Sequence, residues 1–125
     1  MPIFIEWYDA EQSIIIGHIT TGWTWDAAQQ GRVAIQALAQ SVSYPVALAV
    51  QLPPDISVPP NGFAENSKDS LQYHANLGLH TVVYITTNPA IIALWLSVIE
   101  VYANPAVQYH FSPSLEAAVR MLADT

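Results

Sequence analysis

The sequence predicts a small α/β domain: a mixed sheet of about five strands with helices on both faces, in the order β-β-α-β-α-β-α-β-α. Three observations carry that expectation. Two strand-like runs stand side by side near the N-terminus, separated only by a polar turn. From Thr24 onward, helical periods alternate with short, almost wholly apolar runs, the pattern of central strands joined by crossover helices. A chain of 125 residues suffices for one sizeable core, so a single domain over 1–125 is expected.

Ile3, Ile5 and Trp7 alternate with Phe4, Glu6 and Tyr8, a strand with both faces largely apolar. Asp9 to Gln12 is a polar turn, and Ser13 to Ile19 a second β-rich run; so short a connection implies an antiparallel hairpin. Thr20 to Asp26 then feeds a helix, with Thr24 as N-cap and Asp26 placed to suit the helix dipole. That helix runs to about Val42, because Ala28, Gly31, Ile35, Leu38 and Val42 form a stripe suited to lying on a sheet. Gly31 falls inside the stripe and reads as close helix–sheet packing. Val46 to Leu52 is apolar on both faces except at Gln51, which marks a central strand.

The block from Pro53 to Pro60 holds four of the nine prolines, so strand pairing must stop there. A weaker helix follows within Ala64 to Ala75, with Gly78 as its stop. His80 to Thr86 reads as another central strand. Asn88-Pro89 then reads as an N-cap with proline at the first helical position. The helix from Pro89 to about Ala103 is apolar nearly all round, so more than one of its sides must be covered. Its residues Leu94, Trp95, Val98 and Tyr102 are therefore expected to form a self-association or partner surface. Val107 to Phe111 makes a last strand. Ser112 is expected to cap the closing helix, with Pro113 at its first position and Leu115, Val119 and Leu122 facing inward.

Composition narrows the function classes. Arg32, Lys68 and Arg120 face ten acidic residues, a formal net charge of −7. Three scattered cations cannot neutralise a run of phosphates or hold an anionic membrane surface, so neither nucleic acid nor membrane is an expected partner. No apolar run reaches the roughly 20 residues of a membrane span, and Glu6 arrives before any basic residue of a signal peptide. A cytoplasmic protein is the expectation. The absence of cysteine removes disulfides, thiolate metal sites and thiol nucleophiles. Hydrophobic residues make up 52% of the chain and charged ones 10%, an excess of apolar surface that points to a homodimer or a protein partner.

The element order resembles the STAS fold of the SpoIIAA-like anti-sigma-factor antagonists, a group that overlaps with SEC14-like domains. Local features resemble small bacterial members: Trp7-Tyr8-Asp9 at a strand end, Gly22-Trp23-Thr24-Trp25 before the first helix, the proline block, and Tyr109 to Ala118 at the last strand-to-helix join. The resemblance spans nearly the whole chain and is one of topology. It implies a regulatory, protein-binding module. In members that act as partner switches, a serine after the third strand, preceded by an acid, is phosphorylated where the second helix begins. Asp55-Ile56-Ser57 supplies those residue types, which makes Ser57 the candidate phosphosite. Two features depart from the pattern: Val58-Pro59-Pro60 follows, and Gln51 stands where relatives often carry an acid.

The segments leaving the parallel strands should share the carboxyl edge of the sheet, where ligands of open α/β sheets usually bind. Trp23, Trp25 and Phe63 would make that edge apolar, and Thr86, Thr87 and Asn88 would add polar groups. A small apolar ligand or lipid there is the alternative to a protein-interaction module. His18, His74, His80 and His110 show no metal-ligand spacing, and His80 and His110 are expected at opposite edges of the sheet. No nucleophile elbow, phosphate loop or acid–base pair is legible, so neither an enzyme nor a cofactor is expected.

Overall fold

A computed structural model describes residues 3–58 and 61–123; Pro59 and Pro60, within the proline block, lie outside the described residues, as do Met1 and Pro2. β1 (Ile3–Trp7) and β2 (Ile14–Ile19) pair antiparallel, with Ile3 opposite Ile19 and Trp7 opposite Ile15. Their turn is closed by Asp9. Its carboxylate accepts the backbone N–H groups of Ser13 at 2.9 Å and Ile14 at 3.1 Å, together with the Ser13 hydroxyl. Burial pushes the Asp9 carboxyl up, but these donors outweigh it and hold the group below its ordinary 3.8. Asp9 is thus a structural acceptor rather than a solvated turn residue.

The chain continues through α1 (Trp25–Gln40), β3 (Val46–Gln51), α2 (Phe63–Asn76), β4 (Leu79–Ile85), α3 (Pro89–Tyr102), β5 (Gln108–Ser112) and α4 (Leu115–Ala123). This is the α/β order read from the sequence, with a five-stranded mixed sheet. Strands β2 to β5 are parallel, and the order across the sheet is the order along the chain. Right-handed crossovers that always advance in one direction leave their helices on one face. That is what the core shows. Ile15, Leu48, Val82 and Tyr84 point to the face carrying α1 and α3, with Ile35, Ile91 and Trp95 in the same cluster. Ile16, Ala47, Ala49 and Val83 point to the other face and cluster with Ala118 and Leu122 of α4.

Helix ends follow local chemistry. Thr24 caps α1 through its hydroxyl, which accepts the Ala27 N–H at 3.1 Å, and Asn88 caps α3 by accepting from Ala90 and Ile91. Gly78, at φ +75°, lies just past the end of α2. The cap of α4 corrects the expectation: it is Ser114, whose hydroxyl accepts the Ala117 N–H, and not Ser112. Ser112 remains in the ladder opposite Ile85, so the helix can begin only after Pro113. His110 differs too. It sits within β5 opposite Val83, three residues along β4 from His80, an offset of roughly 10 Å by strand rise rather than opposite edges.

Candidate ligand cavity between the sheet and three helices

The helices on the crowded face do not tile the sheet evenly. α1 leans on β1, while α2 packs on β4 and against α3. Gly31 permits the first contact. A Cβ there would come 3.3 Å from Ile3 Cγ2, tighter than ordinary contact, so the absent side chain lets α1 sit close on β1. On the strand beneath, a Cβ at Gly17 would lie 3.2 Å from Ile5 Cδ1. With α1 drawn to one side and α2 to the other, a half-enclosed cavity of about 110 Å³ remains over β2, β3 and β4.

Its wall is mostly apolar. The sheet contributes Ile5, Gly17, Leu48, Val50 and Tyr84; α1 contributes Trp25, Ala28, Gly31 and Ile35; and α3 contributes Trp95, Val98 and Ile99. The polar groups are few. Arg32 from α1 and Ser67, Ser70 and His74 from α2 line the space, and none of the lining residues is acidic. Arg32, Ser67 and Ser70 are half-buried and mark the rim, whereas His74 is 5% exposed and Tyr84 6% exposed.

Burial sets the state of both interior groups. His74 Nδ1 lies 3.1 Å from Tyr109 Oη. Burial, assisted by the Arg32 charge, lowers its pKa to about 4, so its imidazole is neutral near pH 7. Burial raises the Tyr84 hydroxyl, with the neighbouring Tyr109 adding to the effect, and burial raises Tyr109 as well. Both phenols therefore stay protonated. The Tyr84 hydroxyl has no hydrogen-bond partner among the described residues, and it is not sealed off as a buried unsatisfied atom. A polar group left open on the wall of an apolar cavity is a ready contact for an occupant.

The expected carboxyl-edge site divides in two. Trp23 and Trp25 line the cavity. Their rings meet edge to face at 4.9 Å, and Phe63 bridges Trp25 and Trp95 at centroid distances of 6.2 and 5.2 Å. Thr86 and Thr87 line a separate recess of about 290 Å³ with Gln51, Pro54 and Ser114. That recess is the larger, but two of its three hydroxyls are in use, since Thr86 Oγ1 accepts the Asn88 N–H and Ser114 caps α4, and the third belongs to exposed Thr87. Asn88 is likewise spent on the α3 cap. A sheet whose strand order never reverses has no switch point, so there is no crevice between diverging crossovers to join these halves. The proline segment is tied down over the tryptophans. The Trp23 indole N–H donates to the Ser57 carbonyl at 2.9 Å and that of Trp25 to the Asn61 carbonyl at 2.8 Å.

The surface expected on α3 is mostly interior. Trp95 is 9% exposed and Val98 5%; Phe63 of α2 and Tyr84 of β4 lie against the Trp95 ring, α2 packs on α3, and Leu94 packs against the same core. Of the four, Tyr102 alone is exposed, with Lys68 5.5 Å from its ring centroid. Ser57 is exposed but lies six residues before α2 begins at Phe63, not at its start. Among the described residues, no group of three or more His, Asp or Glu side chains could hold a metal, and no helix is long and apolar enough to cross a membrane.

Sequence reasoning did not find Gly17, Arg32, His74 or Tyr84 as parts of one site. One trace was legible. Ser67, Ser70, Leu71 and His74 fall on one face of α2 at helical spacing, and three of the four are polar where a helix covering a sheet should be apolar. Compared with protein-family models, curated proteins and solved structures, the chain matches none.

Proposed function

We propose that the chain is a non-catalytic binding module for a small apolar molecule, held between the sheet and helices α1, α2 and α3. The observation that carries this reading is the cavity itself. An enclosed apolar cavity of about 150 Å³ binds benzene, and this space of about 110 Å³ is open on one side, so an apolar body no larger than about one six-membered ring can seat in it with its edge at the opening. The open Tyr84 hydroxyl gives such a body one polar contact. Catalysis is not favoured, because His74 is engaged by Tyr109, both phenols are held protonated and the wall holds no carboxylate. Self-association through α3 is the weaker reading, since its two central side chains, Trp95 and Val98, are interior. A regulatory role of the kind the STAS resemblance implies is compatible with ligand binding, the ligand then acting as the signal.

The test is a toluene titration followed by amide NMR. The Gly17 and Gly31 amides, which border the cavity, should shift saturably. Gly78, beyond the far end of α2, should not move. Trp23, Trp25 and Trp95 all line the space, so intrinsic fluorescence should report the same event. Absence of saturable shifts up to the solubility of toluene sinks the proposal.

A further inference from the structure

The ligand reading can be made chemically specific, and the specificity rests on that reading. The geometry points to an apolar monocarboxylate as the occupant, its ring or short branched chain in the cavity and its carboxylate paired with Arg32 at the rim. Cations are scarce in this chain, three against ten acids. Arg120 is paired with Glu116 at 2.8 Å, and Lys68 stands over Tyr102, outside the cavity. Arg32 is the cation that lines the cavity, and it has no carboxylate partner among the described residues. Its recorded contact is the face of Tyr73, 5.9 Å from the ring centroid. With ten acids in the chain and none on the cavity wall, a half-buried guanidinium there is free to receive an anion from outside.

Three features select a monocarboxylate over other anions. A single guanidinium offers one planar fork, which matches a carboxylate through two parallel N–H···O bonds. A phosphate monoester carries nearly two charges and more acceptor oxygens than one Arg and the hydroxyls of Ser67 and Ser70 would satisfy. The apolar wall then limits the remainder of the molecule to a compact hydrocarbon body. Cationic ligands are disfavoured by the same charge.

Toluene, benzoate and benzylamine share one ring and differ in charge, so they test this directly at pH 7. On the unmodified protein, benzoate should bind at least tenfold more tightly than toluene, and benzylamine more weakly than toluene. Arg32→Gln should bring the benzoate-to-toluene affinity ratio close to one. Arg32→Lys, which keeps the charge but loses the fork, should leave it in between. If toluene binds and benzoate binds no better, the carboxylate inference is overturned while the cavity reading stands. If neither binds, the cavity reading falls and takes this inference with it. The ranking on the unmodified protein decides the matter even where Arg32→Gln does not fold.

Discussion

Trp95→Glu is expected to abolish the native fold. Trp95 is 9% exposed, meets Phe63 at 5.2 Å and Tyr84 at 6.3 Å, and joins α3 to both α2 and the sheet. Truncating a buried tryptophan costs about 3–5 kcal/mol from lost contacts and the cavity left behind. A carboxylate in that place must in addition be desolvated or forced to stay protonated, with no cation among its ring neighbours to offset it. A domain of this size holds only about 5–15 kcal/mol in total, so the sum is comparable with the whole stability. Far-UV circular dichroism with thermal melting should show no cooperative transition at 25 °C or above. Tyr102→Glu, at the exposed end of the same helix, should melt close to the parent. A folded Trp95→Glu protein that merely changed its oligomeric state would restore α3 as an association surface and contradict the packing described above.

Lowering the pH from 6.5 to 4 should cost about 3 kcal/mol through His74 alone. The ordinary value of 6.5 is depressed to about 4 in the folded protein, first by burial and then by the Arg32 charge. Between those values the unfolded chain binds a proton that the folded chain refuses, so stability rises with pH across that window and is flat above it. At about 1.4 kcal/mol per tenfold change in proton affinity, the fall from 6.5 to about 4 has a limit of about 3.5 kcal/mol, of which about 3 is lost between pH 6.5 and 4, and a 5% exposed ring leaves little solvent screening to reduce it. Asp9 acts in a separate range. Its depressed carboxyl adds stability above 3.8 that is lost only as pH falls below that value. Urea denaturation at half-unit steps from pH 7.5 to 4 measures the slope. His74→Gln, which retains a hydrogen-bonding group for Tyr109, should flatten it. An unchanged slope in that variant would show that His74 is not the group responsible.

The element order was legible because each element states its own period. The caps at Thr24 and Asn88 were legible because a side-chain oxygen followed by a helical run has a local meaning. Ser112 and Ser114 flank one proline and carry the same local signal, and only the pairing of Ser112 with Ile85 separates them. The apolar girth of α3 showed that more than one side is covered, but not that α2 packs against it at Trp95. The cavity was the least legible part. It is bounded by side chains from seven elements, and its size depends on α1 leaning toward Ile3 at a glycine, a tertiary consequence with no linear pattern. The carboxyl-edge expectation rested on the strands after the hairpin being parallel, which they are, but no periodicity reports the order of strands across a sheet, and that order decides whether a crevice opens at the edge.

Identity between strand order and chain order also bears on how the molecule assembles. Every strand pairs with the one made just before it, so no ladder waits for a distant segment and each step closes a loop of moderate length. The sheet can therefore grow strand by strand during synthesis, each new strand covering the edge exposed by the last. Pulse-labelled hydrogen exchange should find β2 and β3 protected no later than β5; the reverse order would rule this out. α4 is the exception. It returns across β3, β4 and β5 to cover their open face, so the sheet is sealed only when the last helix docks.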